Sequence, residues 1–231
     1  AESDAPESER RGAAPEYDQQ MPDNFVHDET RQILNDCGAL LMDDHFVYAS
    51  GDHGAGWIAK DLVNLDPRRP ARLGELLATA LADLNPSPEI LCGPVIGGLI
   101  CAQATALALC LPFVYAEHAQ RGGEKNFELR RGFGEFVDGR EVLVVDDIIN
   151  TGFSIRLAIE AVRAAGGTVS AAATWVNRGN VYAPDLGVEA LINLNEVALP
   201  AWPAETCPLC AKNVPVNTRY AHGAEFVAAR S

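Results

Sequence analysis

The residues best equipped for chemistry stand in one run, Val142-Leu143-Val144-Val145-Asp146-Asp147-Ile148-Ile149-Asn150-Thr151-Gly152-Phe153-Ser154. The leading apolar residues, mostly β-branched, read as a buried strand that delivers two adjacent carboxylates to its end. A short turn of Asn, Thr, Gly and Ser then opens a helix. The free N–H groups and positive dipole of a helix N-terminus suit such a turn to phosphate. The carboxylates can accept hydrogen bonds from vicinal hydroxyls, as a ribose presents them, and can stand beside developing positive charge. The plain alternative is a surface turn that only caps a helix.

Other reactive residue types carry less. Cys207-Pro208-Leu209-Cys210 has the spacing of a zinc knuckle, but a structural zinc needs four ligands and only His222 lies nearby in sequence. A packing role is therefore expected in preference to a metal or a redox pair, and no dedicated metal cage is visible. His27, His45 and His53 read as surface or packing groups. The sequence has neither a Gly-x-x-x-x-Gly-Lys loop nor a Ser/His/Asp nucleophile elbow.

These residues must be held by a chain of 231 residues, 48% hydrophobic, long enough to bury a large core. With 32 acids against 18 bases the net charge is -14, which disfavours nucleic acid and anionic lipid as partners. Residues 1–22 have almost no large apolar side chains and read as a disordered acidic arm, with one domain over 23–231. Phe25, Ile33, Leu34, Cys37, Leu40 and Leu41 fall at helical spacing, and His45–Ala49 reads as a short strand. Ile90–Ala116 is uncharged and long enough to span a membrane on a bare count. Its Gly and Pro residues instead divide it into a strand (Ile90–Cys92), a helix (Leu99–Cys110) and a strand (Phe113–Ala116). The polar Glu117–Gly132 segment reads as a long mobile loop. A helix over Phe153–Ala165 and strands over Thr168–Val176 and Val188–Leu194 complete an α/β pattern with a central parallel sheet flanked by helices. Ligands of such sheets sit beyond the carboxyl ends of the strands. Three of the six cysteines lie in apolar stretches and no secretory signal precedes them, so a reduced, cytoplasmic setting is expected.

The Val142–Ser154 run resembles the phosphoribosyl-diphosphate (PRPP) binding motif of type I phosphoribosyltransferases. The likeness extends over roughly residues 24–222 to the orotate phosphoribosyltransferases. It is carried by Asp44–Gly51, Trp57 with Lys60-Asp61, Gly93–Gly98, Tyr115-Ala116-Glu117, Arg130–Phe133 and Asn177-Arg178-Gly179. The resemblance implies the type I phosphoribosyltransferase fold with a small hood formed by the N-terminal and C-terminal segments. It implies transfer of a phosphoribosyl group from PRPP to orotate, giving orotidine 5′-phosphate and diphosphate, with Mg2+ as cofactor and a homodimer as the working form. By the same resemblance Asp146, Asp147, Asn150, Thr151, Gly152, Phe153 and Ser154 hold PRPP. Val95, Ile96, Gly97, Gly98 and His118 meet the diphosphate, and Arg178 and Asn150 meet the base. A basic loop closes over the site, so Lys125, then Arg121, are the expected catalytic bases beside Asp147; Arg130 and Arg131 lie in the same segment. Similar Cys-Pro-Leu-Cys tails occur in this family.

Departures from the family pattern fall at Asp52, Gly54, His118 and Asn150, on the base and diphosphate sides. Two alternatives therefore stand beside orotate transfer. One is the same reaction on another nucleobase such as a purine; the other is a PRPP-binding regulator without turnover, for which the short polar arm offers no output module.

Overall fold

The structure is a computed structural model and describes residues 24–229. The acidic arm expected at 1–22 lies outside the described residues. The chain runs through α1 (Asn24–Asp36), β1 (Leu40–Val47), β2 (His53–Ile58), α2 (Arg68–Ala80), β3 (Ile90–Pro94), α3 (Gly97–Leu109), β4 (Phe113–Arg121) and β5 (Glu124–Glu128). It continues through α4 (Phe133–Val137), β6 (Val142–Ile149), α5 (Phe153–Ala164), β7 (Ala171–Asn177), α6 (Ala183–Leu186), β8 (Ala190–Glu196), β9 (Ala201–Trp202), α7 (Pro208–Ala211) and α8 (Gly223–Ala228).

The main sheet has six strands in the order β5-β4-β3-β6-β7-β8. Every pairing from β4 to β8 is parallel. Parallel strands covered on both faces need apolar side chains on both, which is why β3 and the first half of β6 read as unbroken hydrophobic runs. Along β6 the side chains alternate between two layers. Leu143 and Val145 join Leu73, Leu77 and Cys101 of α2 and α3, whereas Val142 and Val144 join Ile155, Ile159 and Val162 of α5. The uncharged Ile90–Ala116 run is strand, helix and strand, as expected, and among the described residues no helix is long and apolar enough to cross a membrane. Burial pushes the Cys92 thiol up to about 12, so it packs as a small apolar group.

Several expectations need correction. Leu40 and Leu41 belong to β1, because Gly38 adopts a left-handed conformation (φ +67°) and closes α1 before them. The strand expected at His45–Ala49 is the end of that longer β1. Glu117–Gly132 is not one long loop. Most of it is an antiparallel hairpin in which Glu117 pairs with Glu128 and Arg121 with Glu124 across Gly122-Gly123, both at positive φ. The hairpin ends the sheet, so its side chains are mostly exposed and polar, and only Phe127 of β5 is buried. That composition hid the strands.

A second, smaller sheet joins the two ends of the described chain in the order β1-β2-β9. The C-terminal segment returns over it: Asn217 N–H donates to the His45 carbonyl at 2.7 Å and His222 N–H to the Val47 carbonyl at 2.9 Å. This is the hood expected from both termini.

Candidate active site

Strand β6 carries Asp146 and Asp147 out of the core while both remain buried, at 7% and 1% exposure. Two adjacent buried carboxylates repel each other. Burial and the charge of Asp147 push Asp146 well above the usual carboxylate range. The balancing cation is Lys60, which follows β2; its Nζ lies 3.0 Å from each carboxylate oxygen of Asp147. Burial would lower the Lys60 ammonium, but the facing carboxylates of Asp147 and Asp146 hold it above its ordinary value.

Beyond the acids, Asn150–Ser154 turns into α5. Gly152 takes φ +72° at the helix start, and Phe153 N–H donates to Thr151 Oγ1 at 3.4 Å. Asp146 and residues 148–155 line a cavity of about 100 Å³. A phosphate there would meet the N-terminal amides of a twelve-residue helix. A larger groove of about 650 Å³ lies between β5 and α5, lined by none of these residues.

The glycine loop closes against the acid pair from the α3 side. A Cβ on Gly97 would strike the Asp147 carboxylate, and one on Gly98 would come within 2.9 Å of Asp146 Oδ1 and 2.5 Å of the Pro94 ring. Only glycine allows this approach, which brings the first amides of α3 to the carboxylates. In the same loop Val95 N–H donates to the Ala116 carbonyl at 3.0 Å, and the Ile96 side chain is turned to solvent.

At the end of β7, Arg178 N–H donates to the Ile149 carbonyl at 2.9 Å, and a Cβ on Gly179 would collide with the Asn150 carbonyl. The Arg178 loop therefore leans directly on the Asn150–Ser154 turn. The guanidinium lies 4.9 Å from the Tyr48 ring centre and 5.7 Å from that of Trp57. Burial lowers its pKa, and its Nε is enclosed with no hydrogen-bond partner among the described residues. The departure at Gly54 has a cause here, because a Cβ at that position would enter the Tyr48 ring.

The hairpin bases Lys125, Arg130 and Arg131 make no hydrogen bond or ion pair with the acid pair among the described residues. Lys125 of β5 is exposed, Arg121 ends β4, and His118 is exposed with its ring 4.7 Å from Phe127. Arg131 Nε donates to Glu117 at 2.7 Å, and Arg130 reaches Glu128 at 3.3 Å, so both are engaged on the hairpin stem. Sequence reasoning assigns no role to Lys60, Tyr48 or Trp57, although all three fall in the quoted runs. The missing signal is spatial, since Lys60 meets Asp147 across 87 positions.

The histidines depart from expectation more sharply. His45 and His53 are buried and come together with Cys207 and Cys210, whereas His222, the neighbour in sequence, is exposed.

A parallel sheet whose central strand ends in an acid pair and a short turn that opens a helix, faced by a glycine loop, is the arrangement of a phosphoribosyltransferase. The family described as the phosphoribosyl transferase domain matches residues 65–201. The orotate phosphoribosyltransferase of Caulobacter vibrioides is 36% identical over 197 residues, covering 85% of this chain and 95% of its own. Among solved structures, the orotate phosphoribosyltransferase of Aeropyrum pernix is similar with a TM-score of 0.57 and 26% identity, over 72% of this chain and 92% of that one. The enzyme of Mycobacterium tuberculosis H37Rv in complex with PRPP shares the fold, with a TM-score of 0.56 and 22% identity over 74% of this chain and 96% of that one. The chain belongs to the orotate phosphoribosyltransferase family.

Proposed function

We propose that this protein transfers the phosphoribosyl group of PRPP to orotate, releasing diphosphate and orotidine 5′-phosphate. The observation that carries the choice of base is Arg178. Its enclosed guanidinium is backed by Tyr48 and Trp57 and has an Nε donor without a protein acceptor among the described residues. A planar carboxylate such as orotate's satisfies that fork with two parallel, charge-assisted hydrogen bonds, stronger than those to the neutral acceptors of a purine edge.

The remaining roles follow from position. The turn Asn150–Ser154 would hold the 5-phosphate at the start of α5, with Asn150 also on the base side. Asp146 and Asp147 would accept hydrogen bonds from the ribose hydroxyls, and their negative charge would face the ribosyl carbon as it becomes oxocarbenium-like. The amides of Gly97 and Gly98, with the backbone of Val95 and Ile96, would receive the diphosphate. As the bond from the ribosyl carbon to diphosphate breaks, the bond to a ring nitrogen of orotate forms, and that nitrogen gives up its proton. Positive charge on the hairpin, from Lys125 and Arg121, would neutralise the departing diphosphate and help exclude water, with His118 beside them as a hydrogen-bonding group for the diphosphate.

Magnesium fits the donor set, because Asp146 supplies a hard oxygen ligand while Lys60 takes up both oxygens of Asp147, leaving the few protein ligands that suit an ion kept largely hydrated. Asp146 would hold it, and it would supply neutralisation of the diphosphate charge. The homodimer is part of the same reading: the exposed hairpin at the sheet edge would reach the neighbour's site. A cytoplasmic setting goes with it, on the evidence of buried, unbridged thiols such as Cys92 and Cys101.

The deciding experiment follows diphosphate release from PRPP and Mg2+ with orotate, uracil, adenine and hypoxanthine offered separately. Turnover with orotate that collapses in Arg178→Ala supports the reading. Turnover with a purine alone overturns the choice of base, and PRPP binding without turnover on any base overturns the enzyme.

A further inference from the structure

We propose that His45, His53, Cys207 and Cys210 form a structural zinc site that fastens the C-terminal segment to the hood. One ligand atom from each residue lies within 4.8 Å of every other. His45 Nε2 stands 2.8 Å from His53 Nδ1, 3.7 Å from Cys207 Sγ and 3.8 Å from Cys210 Sγ, while Cys210 Sγ is 3.3 Å from His53 Nδ1. With Zn–S bonds of about 2.3 Å and Zn–N bonds of about 2.0–2.1 Å, a tetrahedral ion sets N to S edges of about 3.6 Å. Three of the four N to S separations, 3.3, 3.7 and 3.8 Å, bracket that edge, and the two imidazole nitrogens, at 2.8 Å, need to part by about half an ångström to reach a tetrahedral N to N edge of about 3.3 Å.

Hydrogen bonding alone explains the cluster poorly. The ring of His45 already has a partner for Nδ1, which lies 2.8 Å from the Val214 carbonyl. With the proton on Nδ1, Nε2 offers a single lone pair, yet His53 Nδ1 and both sulfurs crowd around it. One hydrogen bond can use that lone pair, whereas a central cation uses one from each of the four groups. A backbone carbonyl that fixes the outer nitrogen is the usual support of a metal-binding histidine. Binding would displace the two thiol protons to solvent, and two thiolates with Zn2+ leave a neutral site. Neutrality suits the burial of His45, His53 and Cys207. Two imidazoles and two thiolates in a tetrahedral set select zinc among common divalent ions.

The ligands come from three places that only the fold unites. His45 lies in β1, His53 opens β2, and the Cys-x-x-Cys pair brackets the start of α7. From those strands the chain leads to Tyr48, to Trp57 and on to Lys60. The ion would therefore brace the base that carries the Arg178 clamp and the Asp147 counter-charge.

The test uses the untagged full chain, purified under reducing conditions without chelator, with metal content measured by mass spectrometry. One zinc per chain is expected, and replacement by Co2+ should give intense tetrahedral d–d bands with thiolate-to-cobalt charge transfer. Cys207→Ser and Cys210→Ser should each abolish the charge-transfer band at the native intensity, while His222→Ala should leave metal content and spectrum unchanged. If the cysteine variants do not fold, the wild-type metal content and cobalt spectrum decide alone. A reduced wild-type chain that takes up neither zinc nor cobalt overturns the proposal. So does a cobalt spectrum without sulfur charge transfer, or a Cys207–Cys210 disulfide in protein isolated under thiol-trapping conditions. None of these outcomes depends on which base the enzyme accepts.

Discussion

Replacing Lys60 with methionine keeps most of the side-chain stem and removes the charge that balances Asp147. At 3.0 Å the pair attracts by about 5 kcal/mol if the effective dielectric is about 20. The Lys60 side chain is 42% exposed, so solvent screening reduces the net loss to about 2–3 kcal/mol. For a chain of this size that lowers Tm by about 5–10 °C near pH 8. The pH dependence fixes the cause. Asp146 has a raised folded-state pKa, so its burden on the fold is absent below its unfolded pKa and grows as pH rises through the folded value. Without Lys60 that folded value rises further, and the deficit of the variant should shrink as pH falls toward about 5. In wild type Lys60 itself stays charged through this window, since its own pKa is raised. PRPP affinity should fall about tenfold, or about 1.4 kcal/mol, because a protonated acid is a poor acceptor for ribose hydroxyls. Thermal unfolding from pH 5 to 9, with calorimetric titration of PRPP, measures both. An unchanged Tm at pH 8, or a deficit equal at both ends of the range, would refute the coupling.

Gly97→Ala should weaken PRPP binding at least tenfold, about 1.4 kcal/mol, because the new methyl displaces the Asp147 carboxylate; wild-type affinity in a titration would contradict that packing. Arg178→Lys keeps the charge and loses the fork, so KM for orotate should rise at least tenfold with PRPP affinity unchanged; steady-state kinetics in both substrates checks this. Lys125→Gln should lower kcat about 100-fold or more, near 3 kcal/mol, with little effect on Tm, since Lys125 is exposed. Equal kcat in single-turnover measurements would move that role to Arg121.

The parts legible in sequence were the contiguous ones. Asp146 and Asp147 follow four apolar residues and precede their turn directly, so strand, acids and the helix-opening turn read in order. Gly97 and Gly98 mark the break between a strand and a helix, but nothing in the sequence signals that they bring backbone against the acids. What escaped was set by distance or by exposure. The hairpin has little apolar alternation because both its strands are largely solvated, and Gly122-Gly123 was its one turn signal. β2 contains Gly54 and Gly56, poor strand formers on their own, and is justified only by Tyr48 and Leu199 filling the space above them. The Cys207 and Cys210 partners were invisible because His45 lies 162 and 165 positions away.

The small sheet also orders events during synthesis. Strand β2 pairs with β9 through His53 and Trp202, and β1 receives its last hydrogen bonds from Asn217 and His222. The six-stranded sheet is complete in sequence by Glu196, whereas the hood must wait for a segment made after all of it. A nascent chain can therefore assemble the acid pair and its turn early, leaving β2 without its β9 partner until residues 201–222 emerge. The acid pair is in place before the hood that backs Arg178 is complete, and a ribosome stalled in that interval presents a half-built enzyme with an open sheet edge.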